Sequence, residues 1–208
     1  DSTTVIAGDT VRVFEVTKSS PYLAISGITR ELTTAEYSVE MTHRYVEIQD
    51  SLPNGTLKEN KDGSPLMIEV LRDGIKIIPS VPLKPDTAYL PLITTGVIDT
   101  AGNNIQADLI YGICKGQKSL VDRFGRSVIP TGLSDEQAVA LDPLRALTNT
   151  YEILLGLQKG IGSGSIALAW TFTTQSVSPA LKAVAEKTTA SNVLAGPVVH
   201  PLAGQITT

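Results

Sequence analysis

A helical pattern lodged between strand patterns is the feature that most limits what this chain can become. Ser134-Asp-Glu-Gln137 has the capping-box arrangement, with serine at the N-cap and glutamine three residues on. Asp142-Pro143 repeats the start signal, because proline at the first helical position gives up an N–H that has no partner there anyway. Leu144, Leu147, Tyr151, Leu154 and Leu155 then follow helical spacing. Gly156 and Gly160 weaken and end the run. The segment from about 119 to 160 is therefore expected to hold a helical pair whose apolar stripe packs on a sheet.

Strand patterns flank it. Val11 to Thr17 alternates Val11, Val13 and Glu15 against Arg12, Phe14 and Val16. Ser38 to Ile48 alternates Val39, Met41, His43 and Tyr45 against Glu40, Thr42, Arg44 and Val46, and period two of this kind predicts strands with one wet face. Asp73-Gly74, between LMIEVLR and IKIIPSV, predicts a tight hairpin turn, since a type I′ turn needs positive φ at both central residues. Asp62-Gly63 reads as a loop or wider turn within 54–64. Pro79, Pro82 and Pro85 limit regular pairing and suggest an edge or a crossover. Thr87 to Ile98 reads as a strand, Asp99 to Asn104 as its turn, and Ile105 to Ile113 as the returning strand. Ile166 to Thr174 is the last strand. Ser178-Pro179 starts a closing helix with Leu181, Val184 and Ala185 on one face, and Asn192 to Thr208 reads as an extended linker. The sum is a mainly β chain, one β-sandwich with a helical pair before its last strand and a C-terminal helix.

Chemistry is hard to find in these residues. Gly160-Ile-Gly-Ser-Gly-Ser165 has the wrong spacing for a nucleophile elbow and leaves a helix instead of entering one. The same order excludes a dinucleotide-binding loop. His43 reads as a partly buried strand residue and His200 as a solvated tail residue. The Asp99-Gly102-Asn103 turn, with Asp108 nearby, could offer oxygen ligands to calcium but lacks the loop spacing, and an Asx-stabilised turn fits better. Trp170 reads as a core or half-buried residue. Cys114, the single cysteine, reads as a small buried one. No catalytic, cofactor-binding or metal-binding residue is expected. The net charge of -4 with scattered basic residues argues against nucleic acid or an anionic membrane as partner. No apolar run approaches the roughly 20 residues needed to span a bilayer. Hydrophobic residues at 42% support a substantial core.

Three blocks in order carry a resemblance. PLKPDTAYLPLITTGVIDTAGNNI places Leu83, Pro85, Thr87 and Tyr89 before a turn with Asp99, Gly102 and Asn103. LDPLRALTNTYE and IALAWTFTTQSVSPALKAV follow. From about Val11 to Val184 the chain resembles the N-terminal, immunoglobulin-like region of bacterial virulence-factor lipases. The resemblance implies an immunoglobulin-like domain over 1–190, with the helical insertion at about 119–160, and a linker over 191–208 toward an absent catalytic domain. It implies an extracellular or outer-surface location, a processed or excised N-terminal portion, and a catalytic lipase domain of the same polypeptide as partner. It carries no catalytic residue onto this chain. The implied function is a non-catalytic accessory domain. The alternative is a stand-alone adhesion or glycan-binding immunoglobulin-like module, which the 5% aromatic content disfavours.

Overall fold

A computed structural model describes residues 2–19, 25–52, 56–129, 132–176 and 183–187. The expected helix start at Ser178-Pro179 with Leu181, and the linker 191–208 with His200, lie outside the described residues. In chain order come β1 (Val11–Lys18), β2 (Ile25–Glu31), β3 (Tyr37–Gln49), β4 (Met67–Pro79), β5 (Ala88–Thr94), α1 (Leu109–Cys114), α2 (Asp135–Lys159), β6 (Ile166–Ala169) and β7 (Phe172–Thr173). Residues 183–187 are helical and exposed. The chain is mainly β, in two antiparallel sheets. One runs β2-β1-β5-β6, with β7 also paired to β5, and the other is the β3–β4 hairpin.

The central strands have no wet face. On one side of the first sheet Phe14, Val16, Leu90 and Leu92 meet Tyr151 and Leu155 of α2. On the other side Val11, Val13, Tyr89 and Ile93 meet Val39, Met41, Ile75 and Ile77 of the hairpin. The expected wet face of β1 is thus covered, because helices lie on one side and the hairpin on the other. Glu15 falls on this strand and is buried. Lys84 and Arg30 each hold it at about 3 Å. Burial pushes its carboxyl up, and the hydrogen bonds from Lys84 and Arg30 outweigh that and bring it below the usual value.

Asp73-Gly74 is not a turn. It sits inside β4, opposite His43 and Thr42, and the hairpin pairs from Tyr37↔Pro79 to Gln49↔Met67. This register puts Val39 beside Ile77 and Met41 beside Ile75 on the face that the first sheet covers, so tertiary burial overrides the local turn signal. The glycine leaves room for its neighbour across the pair. A Cβ at Gly74 would lie 3.2 Å from the Thr42 methyl. The chain reverses instead within 50–66, where the Asp50 N–H donates to the Leu66 carbonyl at 2.7 Å.

Three other expectations change. Ile105 to Ile113 does not return as a strand, because the Asp108 side chain accepts from the Tyr111 N–H and starts α1. The expected helical pair is one continuous helix through Pro143. Ser134 and Gln137 form the capping box that opens it, and Gly160 closes it in the left-handed conformation. The Asp142 carboxylate caps nothing of its own and accepts from the Leu120 N–H and from Arg145, both at 2.7 Å. The last strand is split into β6 and β7 at Trp170 and Thr171, although the pairing on either side keeps one register. Pro91 lies opposite the break. Its carbonyl accepts from the Trp170 N–H, but proline has no N–H to return.

Two measurements test this arrangement. Leu155 is fully buried, whereas Leu144 of the same stripe is 51% exposed and does not join the core as expected. Leu155→Ala should cost about 2–5 kcal/mol in urea unfolding, and Leu144→Ala should stay within about 0.5 kcal/mol of the parent. Equal losses would show that α2 is rotated on the sheet. The second test is acid unfolding. Arg30, first, and the Thr33 N–H, second, hold the Glu36 carboxyl down to about 2, against 4.5 for the free side chain. The folded state therefore resists protonation. Its stabilisation is complete above about pH 4.5 and is lost as pH falls toward 2. Glu36→Gln should flatten the fall of the urea midpoint across that window, and a parallel profile would contradict it.

Candidate functional site

The residues singled out in the sequence do not converge. His43 is on β3 and is exposed, with Nδ1 2.6 Å from an Asp73 carboxylate oxygen. Cys114 ends α1 and is buried, and burial pushes its thiol up, so it stays protonated. The Asp99 carboxylate serves its own turn. It accepts from the Ala101 and Asn103 N–H groups at 2.8 Å and from the Asn103 side chain at 3.0 Å. The Asn103 side chain, first, and these N–H groups lower its pKa. Asp108 is committed to the α1 cap. Among the described residues, no group of three His, Cys, Asp or Glu side chains could hold a metal ion.

Ser163, from the glycine-rich run after α2, does meet charged partners. Its hydroxyl donates to Glu152 at 2.5 Å, and Lys115 lies 3.5 Å from the other carboxylate oxygen. The Tyr111 hydroxyl donates to that same oxygen at 3.5 Å. Burial first, and the Glu152 charge second, push the Tyr111 hydroxyl up. The Lys115 ammonium also donates to the carbonyls of Ser163 and Ile166, both at 2.6 Å. The cluster ties α1, α2 and the loop into β6, and sequence reasoning missed it because its members are far apart in the chain.

What the fold does assemble is apolar space around Trp170. A groove of about 340 Å³ runs between α1, α2 and the edge strand, with Leu144, Leu147, Tyr151 and Leu168 on its walls. A cleft of about 480 Å³ lies between the hairpin and the first sheet, with Asp73, Asp99 and Thr100 among its lining residues. A smaller space of about 220 Å³ follows on the far side of Trp170, lined by Tyr37, Ile77, Leu83 and Phe172. Trp170 borders all three because it sits at the strand break and is only half-buried. Its half-buried position agrees with the sequence expectation.

No protein-family profile, curated protein or solved structure matches the chain. The functional reading therefore rests on the residues and their geometry.

Glu152→Ala should cost about 1–3 kcal/mol, because it leaves the Lys115 ammonium and the Tyr111 hydroxyl short of a partner in a poorly hydrated site. Chemical unfolding measures this. Ser163→Ala, which removes one neutral donor, should cost less, and the reverse ranking would refute the account.

Proposed function

We propose that this chain is a non-catalytic accessory domain of a secreted or surface-exposed bacterial lipase. On this reading it is an immunoglobulin-like sandwich that positions or stabilises a following α/β-hydrolase domain of the same polypeptide. The three sequence blocks that resemble the lipase family support it. In the fold two of them touch, since the Tyr151 hydroxyl of LDPLRALTNTYE lies 2.6 Å from that of Thr171 in IALAWTFTT.

The observation that carries the reading is the groove beside the sheet edge. β6 ends the strand order, and its outer edge pairs with no strand among the described residues. Leu144, Ile110 and Leu168 are exposed beside it. An open edge flanked by exposed apolar side chains is a surface that a neighbouring domain can cover. The exposed aromatics offer less to a glycan. Tyr45 lies on the hairpin, while Phe124 lies in a separate turn, stacked under Arg123 and Arg126.

The reading frame beyond Thr208 should encode Gly-x-Ser-x-Gly within a few hundred residues. The isolated chain should not hydrolyse a short-chain nitrophenyl ester. The hydrolase domain, made separately, should bind it, and Leu144→Glu should weaken that binding at least tenfold without lowering the melting temperature of the chain. Ester turnover abolished by a serine substitution in this chain would sink the proposal, as would a downstream frame without the motif.

A further inference from the structure

We infer that the cleft between the β3–β4 hairpin and the first sheet is a binding site for a single hydrocarbon chain that ends in a cationic group. This inference stands without the accessory reading. At about 480 Å³ the cleft falls in the size range of small-molecule sites, and its walls are of the kind such sites use. Met41 and Ile75 face it from the hairpin, and Ile93, Val97 and Ile105 from the opposite side. Trp170 lines it as well. The second apolar space of about 220 Å³ shares Ile75 and Trp170 with it.

The end group follows from the polar lining residues. Asp73, Asp99 and Thr100 are the polar side chains there, and no lysine or arginine lines the cleft. Asp99 is held ionised by its own turn. Asp73 lies 2.6 Å from His43 Nδ1, the one basic side chain that pairs with it among the described residues. Asp73 and Asp99 are both exposed, and two carboxylates at the rim of an apolar cavity repel an anionic end group and attract a cationic one.

The chain itself supplies two reporters. Trp170 is its single tryptophan, and Met41 and Met67 are its two methionines, one in the cleft and one at the far end of the hairpin. The probes are dodecyltrimethylammonium and dodecanoate, each below its micelle concentration, added to the full chain carrying ¹³C-methyl methionine. Dodecyltrimethylammonium should shift the Trp170 emission and the Met41 methyl signal with one saturable isotherm, and leave Met67 in place. Dodecanoate should bind at least tenfold more weakly. Ile105→Phe, at a half-buried wall position, and Val97→Phe, at a buried one, should each lower the affinity at least tenfold. Asp73→Asn combined with Asp99→Asn should narrow the cationic preference to below threefold. The inference fails if Met41 shows no saturable shift, if Met67 moves in its place, if dodecanoate binds as well, or if a folded filled-cleft variant binds like the parent.

Discussion

β5 is buried at six consecutive positions, Ala88 to Ile93, and β1 beside it is buried at Val11 and from Val13 to Val16. A strand pair with no wet face needs a cover on each side of its sheet. Leaving either side open would return several large side chains to water, at about 1.5–3 kcal/mol for each Val, Leu, Ile or Phe. The chain meets this demand with unlike covers. α2 and α1 close one face through Tyr151, Leu155 and Tyr111, and the hairpin closes the other through Val39, Met41, Ile75 and Ile77. The helical segment is therefore part of the core.

The two covers are held differently. α2 is joined to the sheet side by a fully buried leucine, by the Tyr151–Thr171 hydroxyl pair, and by the Glu152–Lys115 cluster that reaches the loop into β6. The side-chain carbonyl of Gln158 also accepts from the Ile28 N–H on edge strand β2. The hairpin is joined over half its length only. Beyond Met41 and Ile75 its inner face continues through the His43–Asp73 pair to Tyr45 and Leu71, which are exposed. A long two-stranded ribbon that packs at one end must part from the sheet at the other, and the cleft opens where it parts.

Much of this was legible from local pattern. The strand over Ser38 to Ile48, the Ser134–Gln137 capping box and the Gly160 stop all hold, because each is decided within a few residues. The expected buried face of that strand stops at Met41, however, since His43 and Tyr45 are exposed while Val46 and Ile48 are half-buried. The errors arose where a local signal met a distant one. Asp73-Gly74 has the composition of a tight turn, but the apolar positions of β4 match those of β3 across a gap of seventeen residues, 50–66, and that match wins. Asp142-Pro143 looks like a helix start because proline suits one, yet a helix already opened at Ser134 passes through it. α1 has six residues, too few for a period to show, and only the Asp108 cap marks it. The Glu152 cluster had no sequence signal at all. Its tyrosine and lysine come from α1 and its C-cap, its glutamate from α2 and its serine from the loop after it, and nothing in their spacing foretells contact.

Pro91 links the strand break to the apolar space. In a regular pairing the residue opposite Trp170 would return a hydrogen bond and hold the edge flat. Proline takes the Trp170 N–H on its carbonyl and returns nothing, so β6 ends at Ala169 and β7 begins at Phe172. The register survives the gap, which leaves Leu168, Trp170 and Phe172 on one face of a loosened edge. Phe172 stacks on Tyr89 with ring centroids 5.6 Å apart. Trp170 meets no such ring among the described residues and stands half-buried between the groove beside α2 and the clefts beneath the hairpin. One missing backbone donor thus sets where the sheet edge opens, and the largest side chain of the chain sits at that point.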